Sequence, residues 1–321
     1  MKARITVSTV VTLLIATCVI IAQGGAASAE RAREITPKPL AATASAKWVM
    51  PRTQWGDPDC QGYWTRGPRN SFNVEGTQAD GFAGAVKGWI VDPPGGKIPY
   101  HPWAAKKGRQ GEFYNNYLDP HLHGVLPGPP RGLWLEHGAT QIIQKPDQIL
   151  FKMEVQHFYR IIYMDGRRHP PERITFDMGH SVGHWEGNML VVDVSNLSAR
   201  NWMDLAGNFY SDAAHIVERY TLSDANTIAW EVTVEDPYVY TRPWKMAASW
   251  SRQQEPYEQI EEAFREGERD HALIREALPT GAIERETLAR YPPMTKREAQ
   301  RQLELQRQEQ AAQSLRHADV P

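Results

Sequence analysis

Residues 215–234 read HIVERYTLSDANTIAWEVTV and carry the clearest structural signal in the chain. Two runs in which apolar and polar residues alternate, 215–222 and 227–234, flank the polar residues 223–226. Alternation with a period of two is typical of strands that bury one face, and a short polar turn between two such runs predicts a β-hairpin. The chain is therefore expected to be mainly β.

Further segments of the same kind lie on both sides of this hairpin. They cover residues 141–145, 148–156, 158–164, 184–186, 189–194 and 238–250. Turn-forming pairs such as Pro146-Asp147 and Gly187-Asn188 separate them, and short turns join strands that are antiparallel neighbours. The series predicts an antiparallel sheet that either closes into a lipocalin- or calycin-like barrel or folds into a sandwich.

The segment before these strands, residues 48–134, is rich in Gly, Pro and aromatic residues. It includes DPPGG at 92–96 and LPGPPR at 126–131. Proline at this density prevents long helices and central strands. We expect long, ordered N-terminal loops that cover the core of the sheet.

The first 29 residues have the three parts of a secretory signal peptide. Lys2 and Arg4 supply a positive start, residues 5–22 are apolar without charge, and ASA at 27–29 is a small-residue cleavage site. One alternative is an uncleaved anchor, since the apolar run approaches the roughly 20 residues that a membrane span needs. Another is a lipoprotein anchored through Cys18. Cleavage predicts a periplasmic or secreted protein.

These signals divide the chain into four parts. They are a signal peptide at 1–29, a flexible leader at 30–47, a β domain at 48–250 and a charged helical extension at 251–321. Within the extension, helical periodicity covers 254–268 and 270–278, and Thr295 with Glu298 forms a capping-box pattern that opens a further helix. That last helix has too few apolar residues to dock firmly, so we expect a solvated tail.

The composition narrows the class of partner. The chain has 36 Lys and Arg against 38 Asp and Glu, which argues against nucleic acid because phosphate binding needs a basic surface. All 11 Trp lie within 48–250, so the β domain is expected to have an aromatic interior. Signal cleavage would leave Cys60 as the one cysteine, which excludes an internal disulfide, and we expect an inert thiol there.

Three motifs resemble those of a family of exported bacterial proteins. They are WGDPD at 55–59, WEGN at 185–188 and EDPYVYTRPW at 235–244. The resemblance covers roughly residues 50–250 and implies export, but it transfers no activity. The chain departs from the family pattern at His180 and His184, where Asp and Arg are more common, so a function shared by the family does not depend on these two histidines.

Strand alternation selects candidate ligand-binding residues, because residues two apart share a face. Glu218, Arg160 and Arg242 each share a predicted strand face with large apolar or aromatic residues. If the three faces converge, they form an aromatic pocket suited to a small anionic or oxygen-rich ligand. A purely structural Arg–Glu network is the alternative.

The remaining candidates surround that predicted pocket. Tyr240, Trp244 and Trp185 would line it as aromatic walls. His157 and His215 begin predicted strands, so both are expected at the mouth of a barrel, where an imidazole would act as the catalytic acid or base. Glu218 would be the partner of that histidine or the base itself.

Other chemistries lack their motifs. Two histidine pairs, His121 with His123 and His180 with His184, have spacings that suit zinc, but H-E-x-x-H and cysteine ligands are missing. The sequence has no G-x-S-x-G elbow and no glycine-rich nucleotide loop after a strand. We therefore predict no metal and no cofactor.

Together these patterns predict an exported enzyme with a cofactor-free acid–base pocket, a lyase, isomerase or hydrolase acting on a hydrophobic aromatic or terpenoid molecule. One alternative is a periplasmic binding or carrier protein with the same pocket and no turnover. Another is a structural envelope protein that uses its C-terminal helices as a contact arm. The expected partner is a small hydrophobic or aromatic molecule, without nucleic acid and without a membrane span after signal cleavage. The oligomeric state is left open.

Overall fold

The computed structural model describes residues 48–66, 73–77, 86–108, 119–123, 125–134, 138–155, 157–260 and 293–318. The predicted signal peptide and leader lie outside the described residues, as do residues 261–292 of the predicted extension. The boundaries given for those parts therefore stay predictions.

The described residues contain strands and a few helices. The strands are β1 (Gly62–Arg66), β2 (Gly76–Thr77), β3 (Val86–Lys87), β4 (Ile90–Asp92), β5 (Thr140–Gln144), β6 (Gln148–Met153), β7 (Tyr159–Tyr163), β8 (His180–Glu186), β9 (Met189–Ser195), β10 (His215–Asp224), β11 (Thr227–Glu235) and β12 (Trp244–Arg252). The helices are α1 (Pro102–Gly108), a 3-10 turn (Pro120–His123), α2 (Arg131–Trp134) and α3 (Lys296–Ala318). Among these residues, no helix combines the length and apolar character needed to cross a membrane.

Nine strands close into a barrel. They pair in the order β1, β5, β6, β7, β8, β9, β10, β11, β12, and β1 also pairs with β12, which completes the circle. Strand β4 pairs with the first residues of β12, whereas β1 pairs with its last residues, and β2 with β3 forms a separate ladder. The predicted mainly β barrel is thus confirmed, and the sandwich is not formed.

The barrel is mixed rather than wholly antiparallel as expected. Strands β7 and β8 are parallel, with Ile162 opposite Ser181. Parallel neighbours need a connection that returns to the starting end, so residues 164–179 cross back over the outside of the barrel. The side-chain amide of Asn196 donates to the carbonyls of Pro170, Pro171 and Ile174 at 3.3, 3.2 and 2.8 Å, which holds this crossover in place.

Aromatic side chains fill the barrel interior. Trp64, Trp230, Trp250 and Tyr220 are each at most 2% exposed. Trp250 packs edge-on against Tyr220 and Phe151, with ring centroids 5.6 and 5.9 Å apart. Each such pair contributes about 0.5–1.5 kcal/mol beyond the burial of area. The expectation of an aromatic interior agrees with this packing.

Buried carboxylates hold the N-terminal loops on the barrel. The two terminal nitrogens of Arg131, Nη1 and Nη2, donate to the carboxylate of Asp119 at 2.9 and 2.7 Å. Asp204 accepts from the backbone of Val74 at 2.9 Å. The described parts of residues 48–134 are mostly loop, as the proline content predicted, and these polar contacts supply the order.

The C-terminal helix docks more firmly than expected. The backbone N–H of Glu298 donates to the hydroxyl of Thr295 at 3.2 Å, so the predicted helix cap is present. Met294, Ala299 and Leu303 are buried, which shows that a short apolar stripe at the start of α3 is enough for packing. The rest of α3 is largely exposed.

The helix predicted over 254–268 is wrong for its described part, because residues 254–260 are irregular. The buried carboxylate of Glu154 explains the difference. It accepts from the hydroxyl of Tyr257 at 2.6 Å and from the backbone of Ile260 at 2.8 Å. These long-range bonds replace the local bonds of a helix.

Candidate functional site

Arg160 and Glu218 meet inside the barrel, a contact that the sequence left open. Nη2 of Arg160 lies 2.5 Å from Oε2 of Glu218, and its Nε donates to the hydroxyl of Ser181 at 2.9 Å. Both members of the ion pair are almost completely buried. Burial disfavours the charged guanidinium, but the charge and hydrogen bond of Glu218, together with Tyr220, outweigh it and raise the pKa of Arg160.

Four buried polar atoms around this pair have no hydrogen-bond partner of good geometry among the described residues. They are Nη1 of Arg160, Oε1 of Glu218, the hydroxyl of Tyr220 and Nε1 of Trp230. Buried polar groups in folded proteins nearly always have a partner, either protein or water. The interior therefore has the chemistry to hold water or a small polar molecule.

Arg242 does not join the interior pair, so the three faces considered from the sequence do not converge. Its guanidinium is exposed and makes two bonds of 2.9 Å to the carboxylate of Asp92. The reason is local, because residues 238–250 are not one strand. Asp236 accepts from the backbone of Tyr238 and Val239 and holds a turn, and β12 begins only at Trp244.

The predicted aromatic wall residues belong to the packed core. The hydroxyl of Tyr240 donates to the carbonyl of Phe209 at 2.8 Å, and its ring packs edge-on against Trp244 at 5.8 Å. Both side chains are at most 1% exposed. Trp185 is half-buried and packs against the core from the β8–β9 hairpin.

His157 lies on the outside of the barrel, away from Glu218. It occupies the β6–β7 turn with a positive φ of 49°, and Nε2 is 3.3 Å from the carbonyl of Ile260. Its ring borders an outer groove of about 390 Å³ that also contains Leu150 and Tyr159. The predicted catalytic partnership of His157 with Glu218 is therefore not assembled.

His215 also faces outward, because three positions separate it from Glu218 and an odd separation reverses the face of a strand. Its Nε2 donates to Oδ2 of Asp193 at 3.0 Å, and its Nδ1 is 3.8 Å from Oε2 of Glu235. The expected pairing of His215 with Glu218 is thus wrong, and Asp193 takes that place.

A chain of hydrogen bonds also extends from Asp193 away from His215, first to His169 and then to His180. Oδ1 of Asp193 is 3.0 Å from Nε2 of His169, and Nδ1 of His169 is 2.9 Å from Nδ1 of His180. We call His180, His169, Asp193 and His215 the outer imidazole network. Strands β8, β9 and β10 supply three members, and the crossover after β7 supplies His169.

The carboxylate of Asp193 determines which nitrogens of His169 and His180 carry hydrogen. Asp193 can only accept, so neutral His169 carries its hydrogen on Nε2 and keeps a lone pair on Nδ1. His180 must then donate through Nδ1, which leaves a lone pair on its Nε2. The network is therefore directional, with a free imidazole lone pair at the His180 end.

The surroundings shift the pKa values along the network. Hydrogen bonding to Asp193 raises the pKa of His215, against the opposite effect of burial. Burial, with the charges of His169 and Arg167, lowers the pKa of His180. Burial acts to raise the pKa of Asp193, but the bonds and charges of His215 and His169 together outweigh it and lower that pKa. The carboxylate is thus anionic and His180 neutral near pH 7.

Apolar side chains flank the His180 end. The ring of Tyr163 stacks on His180 with centroids 5.3 Å apart, and Phe176 lies at 6.4 Å. Phe176 and Ile174 are 42% and 40% exposed, so both present apolar surface to solvent. Arg167 covers the other side of Tyr163 at 3.7 Å.

Sequence reasoning missed Asp193 and His169. The two-residue turn at Gly187-Asn188 pairs Asp193 with Val182, so the hairpin register could have placed Asp193 on the same face as His180. No comparable signal identifies His169, because it lies in a proline-rich loop whose path depends on tertiary contacts.

The described residues contain no group of three or more His, Cys, Asp or Glu side chains arranged to hold a metal ion. Of the histidines considered for zinc, His184 is bonded to Glu186 at 3.1 Å and His121 is buried with Nδ1 3.1 Å from the carbonyl of Val125. Cys60 is buried, and burial raises the pKa of its thiol to about 12, so it is not a nucleophile at neutral pH.

Comparison with known proteins adds no assignment. The chain matches no protein-family model, no curated protein and no solved structure. A functional conclusion therefore depends on the geometry and chemistry of the residues themselves.

Proposed function

We propose that this protein is an exported acid–base enzyme and that the outer imidazole network is its active site. One observation carries the proposal. Each oxygen of Asp193 is 3.0 Å from a different imidazole, and one of these imidazoles continues to His180 at 2.9 Å. A carboxylate that orients a histidine which in turn contacts a second proton-transfer group is the arrangement used in general-base catalysis.

The proton path follows from the bond directions. His180 takes a proton from substrate, or from an attacking water, onto Nε2. Its Nδ1 proton passes to Nδ1 of His169, which becomes an imidazolium beside the Asp193 carboxylate. Overall, one proton enters at Nε2 of His180, and the positive charge ends on His169. Return of the proton to the leaving group restores the starting state.

The electrostatics favour this direction of transfer. Positive charge on His180 is disfavoured by partial burial and by Arg167. Nε2 of His169 lies 3.0 Å from the carboxylate of Asp193. His215 holds the second oxygen of Asp193 and so keeps the carboxylate in position. A positioned base of this kind contributes about 10²–10⁴-fold to a rate.

The proposed substrate is a small hydrophobic, aromatic molecule. Phe176 and Tyr163 give its apolar body a surface to lie on beside His180. Exposed apolar side chains next to perturbed titratable groups are the combination expected of a binding site.

The test uses 4-nitrophenyl acetate, an activated aryl ester whose hydrolysis reports an accessible base. The purified, untagged protein is compared with His180→Gln and Asp193→Asn, and we expect each to lower kcat/KM by about 100-fold or more. His184→Gln is the matched control, since His184 is an exposed histidine on the same strand and lies outside the network. Equal rates for all four proteins would overturn the proposal.

A second candidate function, small-molecule binding in the barrel interior, has its own support. The unpartnered polar atoms around Arg160 and Glu218 favour an oxygen-bearing guest. Native mass spectrometry of the purified protein tests it directly. We expect a mass above that of the chain, which falls to the chain mass on denaturation and is lost in Glu218→Ala. A wild-type protein that shows only the chain mass contradicts interior binding.

A further inference from the structure

We propose that His169 and His180 also form a two-imidazole site for a transition-metal ion, and that the bound ion blocks the proton path. Ni²⁺, Cu²⁺ and Zn²⁺ are the ions whose preference for imidazole nitrogen suits such a site, whereas Mg²⁺ and Ca²⁺ prefer oxygen ligands. The blocking effect rests on the proposed function, but the metal site does not.

The separation of the two nitrogens suits a shared metal. Nδ1 of His169 and Nδ1 of His180 are 2.9 Å apart. Two nitrogens bound at about 2.0–2.1 Å to one ion lie about 2.9 Å apart in neighbouring square-planar positions and about 3.4 Å apart in a tetrahedron. The ring planes are inclined at 78°, and each lone pair must turn by about 45° from the N–N line to point at one ion in a square-planar site.

Asp193 supplies the second shell that metal-binding histidines usually have. It accepts from Nε2 of His169 at 3.0 Å, which fixes the ring and leaves Nδ1 with its lone pair. His180 frees its own Nδ1 by moving its proton to Nε2. Both imidazoles stay neutral in this change, so no net proton has to leave.

Solvent completes the coordination shell. The side chain of His169 is 26% exposed and His180 is half-buried on the outer face of β8. Arg167, whose charge acts on His180, is paired with Asp165 through two bonds of 2.9 and 2.5 Å, which reduces its repulsion of a metal. With two protein ligands, the affinity is expected to be weaker than that of a four-ligand structural zinc site.

Metal binding and proton transfer compete for the same atoms. The proposed proton path needs the lone pair of His169 Nδ1 to receive the proton of His180. An ion bound to both Nδ1 atoms occupies that lone pair and separates the two rings. The metal would thus act as a reversible inhibitor of the site.

Isothermal titration calorimetry with NiCl₂ tests the metal site on the untagged protein after chelator treatment. We expect one Ni²⁺ per chain, a drop in affinity of at least tenfold in His169→Gln and in His180→Gln, and no change in His184→Gln. MgCl₂ should give no binding heat. These positions are partly exposed on the outer face, and near-UV circular dichroism verifies that each variant is folded. Absence of Ni²⁺ binding in the wild type, or unchanged binding in both variants, would overturn the site.

A second arm measures hydrolysis of 4-nitrophenyl acetate with and without NiCl₂. We expect the rate to fall at the concentration at which calorimetry shows saturation, and chelator to restore it. If calorimetry shows Ni²⁺ binding but the wild type has no turnover, the proposed enzyme is refuted and the metal site remains supported. Turnover that Ni²⁺ leaves unchanged at saturation would overturn the blocking effect.

Discussion

Asp193 decides the behaviour of the outer imidazole network because each of its oxygens serves a different histidine. The bond to His215 is the main cause of the raised pKa of that histidine, with Glu235 as the more distant charge. Asp193 on β9 and Glu235 on β11 thus each place one carboxylate beside the imidazole of His215. This makes His215 a site where the pH dependence of stability should be visible.

We predict that Asp193→Asn lowers the pKa of His215. NMR titration of the imidazole measures this pKa. A raised folded-state pKa gives stability that is complete below the unfolded value of about 6.5 and is lost as the pH rises through the folded value. The free energy of unfolding of the wild type should therefore exceed that of the variant by more at pH 6 than at pH 9. Glu235→Gln is the control and should cause a smaller fall in the pKa. An unchanged pKa in Asp193→Asn would refute the assignment.

Glu218 is the interior residue whose loss should matter most to stability. Removing one member of a buried ion pair leaves the other charge uncompensated, which costs about 3–5 kcal/mol. We expect this loss in the free energy of unfolding of Glu218→Ala, measured by urea denaturation. Asp92→Asn removes the exposed partner of Arg242 and should leave that free energy unchanged. Similar small effects in both variants would mean that the interior pair is not buried as described.

The buried and exposed ionisable residues also show what apolar–polar alternation along a strand can and cannot predict. The faces of Arg160 and Glu218 follow from strand patterns, but their meeting depends on closure of the barrel, because β7 and β10 are not neighbours in the sheet. Arg242 was misassigned because alternation was extended through a turn held by Asp236, and such a turn depends on a buried carboxylate. The odd separation of His215 from Glu218 was sufficient to exclude their pairing.

At the scale of elements, the crossover between β7 and β8 positions the site. It brings His169 over β9, and Asn196 ties it down through three carbonyls while adopting a φ of 58°. Antiparallel hairpins are predictable from short turns. The parallel pair is not, since a loop of this length can return to either end of the barrel and only long-range bonds decide which.

We predict that Asn196→Gly loosens this crossover with little damage to the barrel. Glycine tolerates the positive φ, so the change removes the three hydrogen bonds without adding backbone strain. Hydrogen exchange in residues 165–178 should become faster, and Ni²⁺ binding should weaken by at least tenfold. Asn188→Ala, in the β8–β9 turn, is the control and should affect neither. If exchange in 165–178 is the same as in the wild type, Asn196 does not hold the loop.

At the scale of the whole molecule, β1 closes the barrel. It pairs with β5 on one side and β12 on the other, although it lies far from both in sequence. Trp64 anchors it, with its indole N–H donating to the carbonyl of Cys60 at 2.9 Å and the guanidinium of Arg252 4.2 Å above its ring. Aromatic content predicted an aromatic-lined interior, but closure depends on pairings between distant segments that local patterns do not encode.

Closure by a single tryptophan-bearing strand leads to a prediction for the whole barrel. Trp64 is 1% exposed, and replacing a buried Trp by Ala costs about 3–5 kcal/mol through lost burial and a residual cavity. We expect Trp64→Ala to lower the free energy of unfolding by this amount, and hydrogen exchange to increase in β5 and β12 before the β8–β9 hairpin. Trp48→Ala, at a residue 37% exposed, is the matched control and should change neither quantity. Uniform exchange across all strands in Trp64→Ala would mean that the barrel opens as one unit rather than at the β1 seam.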